Sequence, residues 1–279
     1  MSIESMGPRA LDYLPCRYGA SKLVFRGPRR DLSKPFIAFV GGTETYGKFI
    51  TNPYPSLVEK SLGLPCVNFG LMNAGIDAFV HDPFVIEAAR KADVTVVQVM
   101  GAQNMTNRFY TVHPRRNDRF VAASSLLQTI YREVDFSEFN FNKHMLNDLL
   151  TLSPERFDAV KLELRQAWLA RMRLMLGGIK GKTILLWFSS EAPPEEDVND
   201  GTGLGSDPLF ITHQMMDEVT AMVTKVVRVS ASPEATDAGT RGMVFGELDA
   251  LAAQQMLSPL AHEEAAAALV DAIKTMQTE

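Results

Sequence analysis

The chain has 279 residues, 46% of them apolar and 22% charged, with a formal net charge of −5. That length allows one large domain or two small ones around a sizeable core, and the composition is ordinary for a globular protein. The mild acidity gives no reason to expect nucleic acid or an anionic membrane as a partner.

Residues 1–35 stand apart. They hold seven Lys or Arg against three acids, and Pro8, Pro15, Pro28 and Pro35 interrupt regular structure. This pattern predicts an extended arm laid over the domain, its charges solvated; an anion-binding flap is the sharper alternative. Met1 to Cys16 has no apolar stretch of signal-peptide length, and no later run approaches a membrane span, so the expectation is a cytoplasmic chain. Cys16 and Cys66 fit free, buried thiols.

From residue 36 to 279, short β-branched runs alternate with helical patterns. Strands are predicted at Phe36–Val40, Cys66–Phe69, Val94–Met100, Thr183–Phe188 and Val226–Val229. Helices are predicted at Tyr54–Leu62, Phe79–Lys91, Phe157–Leu176, Thr212–Thr224 and His262–Met276. Near-continuous apolar strands such as "VTVVQVM" suit burial on both faces of a parallel sheet. The alternation therefore predicts a three-layer α/β/α sandwich with a mainly parallel, flavodoxin-like sheet of five strands. Thr43, Gly70 and Gly101 each follow a predicted strand and should converge at the carboxyl edge, where such sheets bind ligands.

Residues 102–156 exceed any normal connection. They predict a helical insertion, with helices near Val121–Arg132 and Asn142–Leu150, forming a partial lid. The loop from Ser189 to Pro208 predicts a second wall.

The stretch "FVGGTETYGKFI" (Phe39–Ile50) has two readings. Gly42 to Lys48 spells the G-x-x-x-x-G-K of a phosphate loop, which implies a nucleotide- or sulfonucleotide-dependent transferase. However, Phe49 replaces the hydroxyl that would ligate magnesium, and "VTVVQVMG" supplies no metal-binding Asp. The alternative is a nucleophile turn, with the Thr43 hydroxyl just past a strand end.

Three further blocks follow in order: "NFGLMNAG" (Asn68–Gly75), "GAQN" (Gly101–Asn104) and "SPLAH" (Ser258–His262). With "GGTET", the series resembles the SGNH or GDSL hydrolases, esterases and lipases with a flavodoxin-like sheet. The resemblance implies Thr43 as nucleophile and His262 as general base. It implies backbone N–H groups at Thr43 and Gly70, with the Asn104 side chain, as oxyanion donors. Glu44, Gln103 and Asn73 complete the substrate-binding set. A hydroxyl needs a base to become nucleophilic, and fixed donors must meet the charge that develops on the carbonyl oxygen. The implied activity is hydrolysis or transfer of an acyl group from a small-molecule or carbohydrate-like ester, without a cofactor.

Three positions depart from the family pattern: Thr43 replaces Ser, Pro259 stands where Asp would orient His262, and Gln103 stands where the family places Asn, so that Asn104 fits only if the turn shifts by one residue. Ser258, Glu247 and Asp249 are the candidate substitutes for the missing carboxylate. The departures define the rival reading, a non-catalytic scaffold that binds a glycan or a protein partner. Arg115 and Arg116, in "VHPRRNDR", offer planar donors suited to an anion. No His or Cys cluster has metal-ligand spacing, so no metal is expected. Nothing in the sequence sets an oligomeric state.

Overall fold

The computed structural model describes residues 11–195 and 203–278. Its framework follows from strands that are apolar on both faces. In β1 (Ile37–Gly41) every position is buried; Ile37 and Phe39 enter one core and Ala38 and Val40 the other. The chain continues through α1 (Thr43–Tyr46), α2 (Tyr54–Leu62), β2 (Cys66–Gly70), α3 (Asp77–Val80), α4 (Pro83–Lys91) and β3 (Val94–Gln98). An excursion follows, made of β4 (Tyr110–His113), β5 (Arg116–Ala123), α5 (Ser125–Ile130) and α6 (Asn142–Leu152). It then passes through α7 (Pro154–Ile179), β6 (Thr183–Ser189), α8 (His213–Thr220), β7 (Lys225–Ser230), α9 (Pro233–Ala238), α10 (Ala250–Ala253) and α11 (Pro259–Thr278).

The main sheet has the order β2-β1-β3-β6-β7 and is parallel throughout. Helices α2, α9 and α11 cover one face, and α3, α4, α7 and α8 pack on the other. This is the expected three-layer, flavodoxin-like sandwich. The strand order reverses between β1 and β3, so the switch-point crevice opens at the carboxyl ends of those two strands.

Local chemistry accounts for the differences from the sequence reading. The helix predicted over Phe79–Lys91 is two helices, because Pro83 forces Asp82 into extended backbone (φ −110°, ψ 98°). Asp82 then caps α4 by accepting from the Phe84 and Val85 N–H groups. The helix predicted near Val121–Arg132 is shortened to α5, since residues up to Ala123 pair with β4 in an antiparallel hairpin. Ser124 starts α5 by accepting from the Leu127 N–H. The final helix begins at Pro259, a residue preadapted to the first helical position.

The described part of the arm, 11–35, is packed down. Phe25 and Tyr18 are buried against Phe69. Arg26 is buried too, and its guanidinium donates to the carbonyls of Tyr46, Gly47, Ile50 and Thr51. Arg30 forks onto Glu59. These two charges are thus structural, contrary to the solvated arm expected; Pro8 and Arg9 lie outside the described residues. Among the described residues no helix is long and apolar enough to cross a membrane, and no cluster of His, Cys, Asp or Glu could hold a metal ion.

Candidate functional site

The site begins where β1 ends. Gln98, the last residue of β3, accepts through Oε1 from the Gly42 N–H (3.1 Å), the Thr45 N–H (3.1 Å) and the Thr45 hydroxyl (2.5 Å). One neutral side chain thereby ties the β1–α1 turn to the neighbouring strand and holds Thr43 and Glu44 at the crevice. Gly42 to Lys48 does not form a phosphate loop. Its helix starts at Thr43 and stops after one turn at Gly47, which is left-handed (φ 74°), while the Lys48 ammonium lies 4.6 Å from the Phe49 ring centroid. A phosphate cradle needs the helix to start at the lysine and run on.

Thr43 is tied to Asn73. The Asn73 N–H donates to Thr43 Oγ1 at 2.8 Å, and the hydroxyl lies 3.3 Å from Asn73 Oδ1 as donor. This contact depends on a left-handed backbone at Asn73 (φ 55°), which Asn tolerates better than most residues. Asn73 Nδ2 in turn donates to Asp118 on β5.

His262 lies in the first turn of α11 and is fully buried. Its ring stacks on Tyr54 and meets the edge of Phe188. Nδ1 accepts the Tyr54 N–H at 3.3 Å, which leaves the ring proton on Nε2. That atom is 3.4 Å from Glu44 Oε2, without the alignment of a hydrogen bond. Burial, assisted by the charge of Glu44, pushes the neighbouring Tyr54 phenol well above its ordinary range. Among the described residues no hydrogen bond joins Thr43 to His262. The candidate orienting groups are also elsewhere. Ser258 donates to the Ala235 carbonyl and caps α11, while Glu247 and Asp249 are exposed.

Two of the expected oxyanion donors are already engaged. The Gly70 N–H is taken by Asn68 Oδ1 at 2.8 Å, so Gly70 does not face a substrate; it lets α1 pack directly on β2. Asn104 spends one amide N–H on the Asn73 carbonyl (3.0 Å) and accepts from Asn142. Asn117, invisible as a site residue in the sequence, accepts from the Gly75 and Ala78 N–H groups. Together Asn73, Asn104, Asn117 and Asn142 bind the excursion to the sheet edge.

Over this edge lies a cavity of about 930 Å³. Thr43, Glu44, Asn73 and Gln98 line its floor, with Gln103 and Asn104 after β3. Asp118, Phe141, Lys143 and His144 from the excursion wall one side, and Ser189, Ser190 and residues 205–208 another. Gln254 and Gln255 close the rim. Gln103 donates to Asp207 (3.2 Å), so the loop after β6 is fastened to the block after β3. Arg115 and Arg116 are exposed at the hairpin turn and do not line the cavity. Residues 196–202 of the second loop lie outside the described residues.

Comparison with solved structures gives distant likenesses. A lipase from a goat rumen metagenome is 12% identical, with TM-score 0.44, over 85% of this chain and 96% of that one. The lipase/acylhydrolase of Enterococcus faecalis is 12% identical, with TM-score 0.45, over 87% and 97%. A family two carbohydrate esterase of Clostridium thermocellum, solved in complex with cellohexaose, is 12% identical, with TM-score 0.42, over 91% and 67%. Likenesses of this size transfer no activity or residue role. No curated protein matches the sequence. A family model does match, from residue 1 to 277, and the chain therefore belongs to the family described as DUF6473, a domain of unknown function.

Proposed function

We propose that this chain is an SGNH-like scaffold that binds a polyhydroxylated, carbohydrate-like ligand and does not use Thr43 to cleave it. One observation carries the reading: the His262 imidazole has its only basic nitrogen committed to the Tyr54 N–H. A threonine hydroxyl needs a base to take its proton. Here the partner of that hydroxyl is the Asn73 carboxamide oxygen, which is not basic enough to serve. The lining also favours sugar hydroxyls. Gln254 and Gln255 offer paired neutral donors and acceptors at the rim, and the exposed Phe141 offers an apolar face. The volume falls within the roughly 300–1,000 Å³ typical of small-ligand sites.

Hydrolysis of an acyl ester is the second reading, favoured by the Thr43 hydroxyl on the cavity floor just past the carboxyl end of β1. Calorimetric titration with cellohexaose, xylohexaose and maltohexaose, beside a p-nitrophenyl acetate assay, separates the two. The binding reading expects saturable uptake of at least one hexasaccharide and ester turnover unchanged in Thr43→Ala. Turnover that disappears in Thr43→Ala overturns it in favour of hydrolysis.

A further inference from the structure

The pairing of Glu44 with His262 has no part in a Thr43-centred reaction, yet it joins a fully buried imidazole to a carboxylate on the cavity floor. Glu44 is 17% exposed and faces the cavity. Behind it, Nε2 of His262 is buried without an aligned partner, and the Glu44 carboxylate is its nearest acidic group at 3.4 Å. The ring has little freedom to turn away. Tyr54 stacks on one side, Phe188 abuts it edge-on, and the Tyr54 N–H holds Nδ1. Tyr54 is itself fixed, since its phenol bonds the Thr45 hydroxyl, which bonds Gln98. A rigid chain therefore runs from β3 to the ring and sets Nε2 at 3.4 Å from Glu44 Oε2.

We propose that Glu44 is the anchoring carboxylate of the pocket, oriented from behind by His262, and that it accepts a pair of neighbouring hydroxyls from the ligand. The inference rests on the carbohydrate-binding reading above and adds its central contact. An ionised carboxylate accepts and does not donate, so it selects ligands that present O–H groups. Its two oxygens match two adjacent hydroxyls, and bonds to a charged acceptor are the stronger kind. His262 acts through Glu44 and is a positioning residue.

The test combines two measurements on the whole chain. In nitrogen-15 histidine spectra, His262 should show the Nε2–H tautomer with Nδ1 as acceptor, with or without sugar. The Nδ1–H tautomer, or a ring averaging between the two, overturns the pairing. In the hexasaccharide titrations, Glu44→Gln should weaken association roughly 10- to 100-fold, the value of bonds to a charged group. His262→Phe, which keeps the ring and loses the N–H, should weaken it in the same direction, and His262→Gln, whose amide N–H reaches the Nε2 position, should recover part of the loss. Arg115→Ala, at the exposed turn, should bind as wild type. If wild type binds and Glu44→Gln binds equally well, this proposal falls alone. If wild type takes up no hexasaccharide, the carbohydrate reading falls and the hydroxyl anchor with it. Should His262→Phe fail to fold, Glu44→Gln and the tautomer still decide.

Discussion

Gly70 and Gly63 show how differently one residue type serves this fold. A Cβ on Gly70 would lie 2.3 Å from the Tyr46 nitrogen and 2.6 Å from the Thr45 carbonyl carbon, both backbone atoms that cannot swing aside. Gly63 is open, with nothing within 4 Å, but its φ of +66° is left-handed. Gly70→Ala is therefore expected to cost about 2–3 kcal/mol through overpacking of α1 on β2. Gly63→Ala should cost only about 1 kcal/mol, through backbone strain. Urea unfolding of the two variants checks the order, and equal losses would remove the close approach as the reason for Gly70. At this scale the sequence was a poor guide. "NFGLMNAG" marks Gly70 as a turn or donor position, but nothing in it reveals that Asn68 captures the Gly70 N–H or that Asn73 reaches Thr43. The second contact depends on a left-handed Asn73 and on Gln98, a neutral residue at the end of an apolar strand with no motif around it, which holds the Thr43 turn.

Elements were legible wherever periodicity and a terminator coincided. The five strands of the main sheet and α2 lie within two residues of their predicted bounds, because buried parallel strands leave unbroken apolar runs. The hairpin β4–β5 escaped, since its residues alternate weakly and include Asn117, Asp118 and Arg119. Its stability comes from contacts distant in sequence, such as Asn117 to the loop before α3 and to Ala78 within that helix. The burial of Arg26 in the arm is hidden for a related reason: composition counts charges but does not show which are buried. Arg26 meets four backbone carbonyls at 2.6–3.1 Å, satisfying the end of α1 and the turn beyond it. Arg26→Lys keeps the charge and loses the planar fork. The expected loss is about 2 kcal/mol in chemical unfolding, with the β1–α1 turn loosened first in hydrogen exchange. A loss below ~0.5 kcal/mol, typical of surface sites, would return Arg26 to the solvated role.

At the scale of the molecule, burial on both faces of one sheet governs the response to alkali as well as the fold. Of six tyrosines, five have phenols raised from the ordinary 10.0, with burial as the leading cause. Tyr18, Tyr46 and Tyr131 are pushed up to about 12, and Tyr54 and Tyr110 higher still. These groups sit in the arm, in α1, at the start of α2, in the hairpin and after α5, so the effect is spread over the whole chain. The unfolded chain releases these protons near pH 10 and the folded chain holds them, so the folded state binds more protons above that value. The contribution to stability is fully present below about pH 10 and is lost as pH rises through about 12. Tyrosinate absorbance followed with circular dichroism should thus show a delayed titration in which five phenols ionise together with loss of helix signal. A titration near pH 10 that leaves the helix signal intact would mean that these phenols meet water in the folded chain. The packing of Tyr54 against His262 would then be looser than the anchoring of Glu44 requires.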